Sequence, residues 1–170
     1  MDATTVERAL VLRAQSGDRG AFDELLQTVD KPLLRYLSAI VRDRCTPEDV
    51  LQEVLITIVR KLVWLRDPSL FRAWSFRIAS RAAFRAMKNE PLTEAIEEHA
   101  SVTVEPPDPW LRERLAEALP HVTNASRAVI HLHYFEELSI SDVAAAIEIS
   151  TGTVKSRLAY GLKQLRKELT

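Results

Sequence analysis

The chain has 170 residues, 46% of them hydrophobic, which is enough for one domain or two small ones with packed cores. Its formal net charge of −1 excludes a protein that binds nucleic acid through overall positive charge, and its single cysteine excludes an internal disulfide framework. No signal-peptide pattern opens the sequence, and no apolar run approaches the roughly 20 residues of a membrane span. We therefore expect a soluble cytoplasmic protein without direct membrane insertion.

Apolar residues recur at helical spacing along most of the chain, and no strand-like alternation exceeds three residues. The presence of only four glycines also argues against an all-β fold. Start signals support several helices: Thr46 and Pro47, for example, precede two acids and an apolar run, and Asp30-Lys31-Pro32 gives a similar signal for the helix at 31–43. The sequence thus predicts an all-α fold with helices at residues 5–16, 20–29, 31–43, 47–64, 69–89, 110–119, 125–136, 140–147 and 151–168.

The predicted helix at residues 47–64 has two contrasting faces at 100° per residue. The apolar face, expected to be core, carries Val50, Leu51, Val54, Leu55, Ile58 and Leu62. The opposite face carries Asp49, Gln52, Glu53, Ile56 and Arg60. An apolar group framed by charges is typical of a protein-binding surface, and a solvated face with one exposed isoleucine is the alternative.

A basic stripe marks the predicted helix at residues 69–89. Its cations follow one another at i, i+4, i+8 and i+11, with Trp74 and Phe84 beside them: Arg77, Arg81, Arg85 and Lys88. Like charges on one stripe repel one another unless they meet phosphates, and cations interleaved with aromatic rings suit single-stranded nucleic acid. The preceding loop at residues 65–71 is positioned to accept a base. Burial of the two aromatic side chains in the core is the alternative.

Residues 90–109 contain six acids, four prolines and no lysine or arginine. This composition predicts an acidic linker that packs poorly. The chain therefore divides into a helical domain at 1–89, the linker at 90–109 and a second helical domain at 110–170. Its histidines at 121, 131 and 133 have no carboxylate or thiol at ligand spacing, so we predict no metal, no cofactor and no catalytic residue.

The last two predicted helices carry the strongest functional pattern. Their apolar faces consist of Val143, Ala144 and Ile147 in the first helix and Val154, Leu158, Leu162 and Leu165 in the second. The other side of the second helix is basic and rich in donors, with Thr153, Ser156, Arg157, Tyr160, Lys163 and Lys167. Such a helix, held by its predecessor across a short turn, fits the major groove of DNA. A solvated helical hairpin is the alternative.

Three segments together resemble one bacterial protein family. They are Thr46-Pro-Glu-Asp-Val-Leu-Gln-Glu-Val, Phe71-Arg-Ala-Trp-Ser-Phe-Arg-Ile-Ala and the helix pair between Leu138 and Leu165. In this order and spacing they resemble the extracytoplasmic-function (group 4) sigma factors of the sigma-70 family. The resemblance implies that residues 1–89 form region 2 and residues 110–170 form region 4. It also implies a non-enzymatic subunit that directs transcription initiation by recognising −10 and −35 promoter elements and aiding promoter melting.

The same resemblance implies partners and site residues. The residues implied to dock on the β′ clamp of core RNA polymerase are Asp49, Gln52, Glu53, Ile56 and Arg60. Those implied to contact the −10 element are Arg66, Phe71, Arg72, Trp74, Arg77, Arg81, Arg85 and Lys88. Those implied to contact the −35 element are Thr151, Thr153, Lys155, Ser156, Arg157, Tyr160 and Lys163. Region 4 is also expected to contact the β-flap, the linker to run toward the RNA exit path, and an anti-sigma factor to inhibit the protein.

Some positions depart from the family pattern. Ser80-Arg81 stands where Arg-Asn is frequent, and Ala159-Tyr160 replaces a bulky or basic pair, so the promoter sequences are not predicted. Glu148 stands where the turn usually has glycine, and a positive φ there would cost on the order of 1 kcal/mol. Two alternatives stay open: a stand-alone helix-turn-helix regulator, which leaves the acidic face at 49–53 unused, and a sigma mimic that sequesters an anti-sigma factor.

Overall fold

The computed structural model describes residues 2–42, 45–87 and 109–170. Within these ranges the chain forms helices and no strand, which confirms the all-α fold class. The chain divides into two compact units, Met1–Met87 and Lys88–Thr170. The predicted linker at residues 90–109 lies outside the described residues, except for Pro109, which begins a helix.

The first unit is built on four helices: α1 (Ala3–Gln15), α2 (Arg19–Ile40), α3 (Pro47–Lys61) and α4 (Phe71–Ala86). Short 3₁₀ turns at Leu62–Trp64 and Pro68–Leu70 connect α3 to α4. Side chains of Asp2, Asp18 and Thr46 accept backbone N–H groups at the starts of α1, α2 and α3, where the helix leaves donors without partners. The core contains the predicted apolar face of α3, in which Leu55 alone is half-buried.

The helix α2 is continuous where the sequence predicted two helices, 20–29 and 31–43. Pro32 lies inside it and was read as part of a start signal. A proline inside a helix costs about 3 kcal/mol because it removes a hydrogen bond and clashes with the preceding turn. The buried positions run through it without a break, from Leu25 and Val29 to Leu33 and Leu37, so burial along one continuous face outweighs that cost.

The second unit contains α5 (Pro109–Ala118), α6 (Asn124–Ile130), α7 (Ile140–Ile147) and α8 (Thr151–Leu169). A 3₁₀ turn at Leu119–His121 precedes α6, and a π-helical turn at His131–Phe135 follows it, where the sequence predicted one α-helix over 125–136. The predicted apolar faces of α7 and α8 are buried in the core of this unit, which also contains Leu111, Leu115, Ile130 and Leu132.

Glu148 lies in the α7–α8 turn, at the position where the family pattern has glycine. This residue takes φ 59° and ψ 44°, the left-handed conformation that glycine adopts without steric cost. Ser150 then accepts the backbone N–H of Thr153 at 3.1 Å and starts α8. A helix-turn-helix therefore forms, with α8 as its second helix.

Candidate protein and nucleic-acid interfaces

The α3 surface is the outward face of α3 formed by Asp49, Gln52, Glu53, Ile56 and Arg60. All five side chains are exposed, as predicted, and Ile56 retains 46% of its accessible area. Val59 and Val63 are also exposed and extend the apolar part of this face toward the end of α3. The result is an apolar strip bordered by charges.

The α4 stripe consists of Arg77, Arg81 and Arg85 in the structure, because Lys88 lies outside the described residues. Arg81 and Arg85 are exposed, and Arg77 is half-buried. The guanidinium of Arg85 donates from Nη2 to Oε1 of Glu53 at 2.8 Å. This ion pair joins the α4 stripe to the α3 surface, a contact between residues 32 positions apart that no local pattern indicates.

The beginning of α4 corrects one predicted contact. Phe71 is fully buried, so its ring is not available to a base in this structure. It is the first residue of α4 rather than a loop residue, and its ring packs inward 6.1 Å from the ring of half-buried Trp74. Arg72 lies with its guanidinium carbon 5.9 Å from the centre of the Phe76 ring. Burial raises the pKa of Glu7 on α1, and the nearby charge of Arg72 partly opposes that shift.

One departure from the family pattern is explained by packing in α4. Ser80 is buried, and its hydroxyl forms a 2.7 Å hydrogen bond with the hydroxyl of buried Tyr36 on α2. Burial raises the pKa of Tyr36, and the bond to Ser80 works against that rise. Ser80 is therefore a core residue in this structure, and exposed Arg81 is the member of the pair that can meet a ligand.

The connection between α3 and α4 exposes an aromatic side chain that the sequence interpretation omitted. Trp64 keeps 77% of its area accessible, beside exposed Arg66. Its signal was present: continuing α3 at 100° per residue places position 64 within about 20° of Glu53. Asp67 accepts hydrogen bonds from the side chain and from the backbone N–H of Ser69, and these bonds fix the 3₁₀ turn before α4. They also hold the pKa of Asp67 below its usual value, with the larger effect from the Ser69 side chain.

The outer face of α8 carries most of the predicted donors. The exposed side chains are Thr151, Lys155, Tyr160 and Lys163. Thr153 and Arg157 are half-buried, and Ser156 is buried. The placement of Ser156 on the exposed face was wrong, since only 5% of it is accessible. A serine side chain is short, and larger neighbours three and four residues away flank it on the helix surface.

A hydrogen bond and a ring contact join residues of the π-helical turn before α7. Nε2 of buried His131 lies 3.1 Å from Oε1 of buried Glu136, and its ring stacks on Phe135 with centroids 4.9 Å apart. A carboxylate thus contacts one of the histidines, at a separation of five residues that the sequence pattern did not indicate. A π-helical turn brings residues five apart onto one side, whereas the assumed α-helix separates them. No cluster of three or more metal-binding side chains occurs among the described residues.

The helix-turn-helix of α7 and α8 places the chain in the class of DNA-binding transcription proteins. The family model for sigma-70 region 2 matches residues 25–90, and the model for sigma-70 region 4 matches residues 118–167. The chain therefore belongs to the sigma-70 family, and it is a sigma factor of RNA polymerase that acts in transcription initiation.

Relatives support the extracytoplasmic-function assignment. The RNA polymerase sigma-H factor of Pseudomonas aeruginosa is 29% identical over 180 residues, covering 96% of this chain and 93% of that protein. The RNA polymerase sigma-E factor of Streptomyces coelicolor is 30% identical over 161 residues, covering 87% and 85%. The ECF RNA polymerase sigma factor SigK of Mycolicibacterium vanbaalenii is 26% identical over 171 residues, covering 94% and 87%.

A solved structure shares the fold. CnrH, determined in complex with the cytosolic domain of CnrY, superposes with a TM-score of 0.71 at 21% identity, covering 96% of this chain and 97% of that one. Among the described helices, none combines the length and apolar character that crossing a bilayer requires.

Proposed function

We propose that this sigma factor docks on core RNA polymerase through the α3 surface, captures the opened −10 element with α4 and the turn before it, and reads the −35 duplex with α8. The observation that carries the proposal is the pairing of an exposed acidic and apolar α3 surface with exposed arginines of α4 in one unit. The protein supplies promoter specificity and performs no catalytic step of its own.

The α3 surface supports docking on a basic, partly apolar partner, which we identify as the β′ clamp. Ile56 and Val59 offer apolar area, and Asp49 and Glu53 frame it with negative charge. Apolar centres surrounded by charged rims are the usual arrangement of protein interfaces, in which charge sets orientation and encounter rate. Acidic side chains in this position also disfavour direct contact with DNA, which favours a protein partner for the acidic part of this surface.

The α4 stripe supports contact with the opened strand near −10. Its cations match phosphates, and half-buried Trp74 presents part of a ring beside them. Unstacking promoter bases costs a few kcal/mol, and stacking on aromatic rings returns about 1–3 kcal/mol per base. Capture of unpaired bases by this unit therefore shifts the promoter toward the open state.

The outer face of α8 supports duplex recognition at −35. Lys155 and Tyr160 are exposed, and Arg157 extends a donor group from a half-buried position. Since the net charge of the chain is −1, we expect weak DNA binding by the free protein. Core polymerase, in contact with region 4 through its β-flap, would hold both units at the spacing of the two elements and add phosphate contacts.

Co-elution with bacterial core RNA polymerase tests the docking surface. The wild-type protein is expected to bind tightly, and the double variant Asp49→Ala, Glu53→Ala to bind much more weakly. A matched double variant, Asp23→Ala, Glu24→Ala, removes two exposed acids from α2 and should bind like the wild type. Equal loss in both double variants would show an effect of net charge rather than of this surface. Absence of binding by a folded wild type would favour a stand-alone regulator or a sigma mimic.

Promoter-dependent transcription tests the role of α8. Arg157→Ala is expected to weaken transcription that depends on the −35 element and to leave core binding intact. Arg114→Ala, an exposed arginine on α5, is the matched control and should change neither. Equal loss of core binding and −35-dependent transcription in Arg157→Ala would contradict the assignment.

We also propose that the protein is inhibited by an anti-sigma factor. CnrH, which shares the fold, was solved with the cytosolic domain of CnrY bound. The exposed apolar side chains Val59 and Val63 provide area that a protein partner can cover. A partner that covers the α3 surface would block polymerase docking, so competition between the two for the chain is the expected observation.

A further inference from the structure

The turn that follows α3 is held by a side chain from another helix. Gln15, the last residue of α1, donates from Nε2 to the carbonyl of Leu62 at 2.9 Å and to the carbonyl of Leu65 at 2.8 Å. The two acceptors lie 47 and 50 residues away along the chain. Both hydrogens of one amide are thus used on two backbone carbonyls of the same turn.

The Leu65 carbonyl lies at the end of the 3₁₀ turn, where a helix leaves acceptors without intrahelical partners, and the Leu62 carbonyl has a second lone pair beside the bond that it accepts within the turn. Water can satisfy such groups and leaves the turn free to fray, whereas a half-buried donor from a neighbouring helix fixes it. The carbonyls bracket Val63 and Trp64, and the backbone N–H of Leu65 also donates to Leu62 at 3.1 Å. Val63 and Trp64 are exposed between these two carbonyls, with 63% and 77% of their area accessible.

The surroundings of Trp64 indicate what its ring meets. Arg60 and Lys61 precede it and Arg66 follows it, and all three are exposed. A ring among cations suits an unpaired nucleotide, whose base stacks on the indole while its phosphates meet the positive charges. The α4 stripe belongs to the same unit and is also positively charged, so the residues around Trp64 and those of α4 offer the same kind of charge to a DNA strand.

We propose that Gln15 is a positioning residue that holds the Leu62–Leu65 turn so that Trp64 stacks on an unpaired base of the opened promoter strand. The inference rests on the proposed function of the first unit in strand opening and adds α1 to the machinery that performs it. Gln15 acts through the turn and contacts no DNA, so its effect depends on the ring that it positions.

The test uses holoenzyme assembled from the full chain and bacterial core polymerase, with a promoter fragment that the wild-type holoenzyme selects from random-sequence DNA. Gln15→Leu, Trp64→Ala and the double variant are compared with Gln27→Leu, an exposed glutamine of α2. Open complexes are followed by permanganate reactivity of unpaired thymines, and core binding is followed by co-elution. Thermal unfolding checks that each variant folds. Because Trp64 is exposed, Trp64→Ala tests base stacking by this ring even if Gln15→Leu does not fold.

We expect Gln15→Leu and Trp64→Ala each to lower open-complex yield by about fivefold or more, the lower end for loss of one base–aromatic stack. Core binding and the Gln27→Leu control should be unchanged. The double variant should lose no more than Trp64→Ala alone, because a residue that acts only through the ring has no effect once the ring is gone. A purely structural role of Gln15 would instead add its own loss.

Several outcomes would overturn the inference. If the folded variants open the selected promoter like the wild type, the proposed function stands, but Trp64 does not stack on an unpaired base. If Trp64→Ala reduces core binding while open-complex yield per bound holoenzyme is unchanged, the ring contacts protein instead of a base. If the wild-type holoenzyme selects no promoter, the proposed function fails before any variant is compared.

Discussion

Gly161 of α8 lies close against α6, and replacing it with alanine measures that approach. A Cβ atom at this position would lie 2.6 Å from Cδ1 of Ile130 and 3.0 Å from Cβ of Ser126. The isoleucine methyl can rotate away. The serine Cβ cannot, because it is fixed to the backbone, so α6 or α8 has to shift.

The magnitude follows from two opposing terms. Alanine is favoured over glycine in a helix interior by up to about 1 kcal/mol, whereas an extra methyl in a well-packed core costs about 1–3 kcal/mol. Gly152 supplies the control, since a Cβ there meets only Oγ of Ser150 at 3.8 Å. Both alanines change the same helix, so the Gly161→Ala protein should be less stable than Gly152→Ala by about 1–3 kcal/mol.

The assay is urea unfolding followed by peptide-resolved hydrogen exchange. Whole-chain fluorescence mixes the two units, because Trp64 and Trp74 lie in the first and Trp110 in the second. Exchange in peptides of α6 and α8 isolates the second unit. The predicted loss should appear there, and peptides of α1 to α4 should exchange as in the wild type.

A second substitution makes the prediction sharper. Ile130→Val removes the atom nearest to the added methyl and by itself typically costs about 0.5–1.5 kcal/mol. In the Gly161→Ala background it should cost less, or stabilise, because it relieves the contact. Equal stability of Gly161→Ala and Gly152→Ala, or strict additivity with Ile130→Val, would refute a close approach of the two helices.

The remaining predictions concern the turn, an ion pair and a helix cap. Glu148→Gly should stabilise the second unit by up to about 1 kcal/mol in urea unfolding. Left-handed backbone costs a non-glycine residue roughly 1–2 kcal/mol, and the greater chain entropy of glycine in the unfolded state offsets part of the gain from removing that cost. Destabilisation by Glu148→Gly would contradict this. Glu53→Gln should raise the affinity of the free chain for a single-stranded oligonucleotide at low salt by releasing Arg85, and fluorescence anisotropy that shows no change would refute it. The backbone N–H of Ala21 donates to Asp18 and is the largest cause that lowers the pKa of this carboxylate. The stability that the Asp18 cap contributes to the folded state should therefore be lost as pH falls through the lowered pKa. Asp18→Asn keeps a capping side chain without a titrating group, so it should reduce the acid dependence of thermal unfolding.

Local pattern was sufficient for the buried faces of α3 and α8 because their burial follows the helical period. The apolar faces of α3 and α8 were predicted from spacing alone, and the outward faces then followed by exclusion, with the exception of Ser156. The family pattern, in which glycine occupies this turn, raised a positive φ at Glu148 only as a condition, and the structure shows left-handed backbone there. These features depend on residues within a few positions of one another.

The errors lie where the outcome depends on distant contacts or on side-chain size. Pro32 was read as a helix start because its local cost is real, and only the continuous buried face of α2 outweighs it. Phe71 and Ser156 were placed by motif and by angle, neither of which reports how deeply a side chain is covered.

The contact of Gln15 with the α3–α4 connection shows the limit most clearly. A glutamine at the end of α1 has no periodic signature, and its acceptors are backbone carbonyls, which every residue carries. Sequence patterns identify which groups a helix end leaves without partners, yet they do not identify the donor that reaches them from another helix. Residues that position a site through such contacts are therefore found only once the tertiary structure is known, whereas residues that present charge on a periodic face are found beforehand.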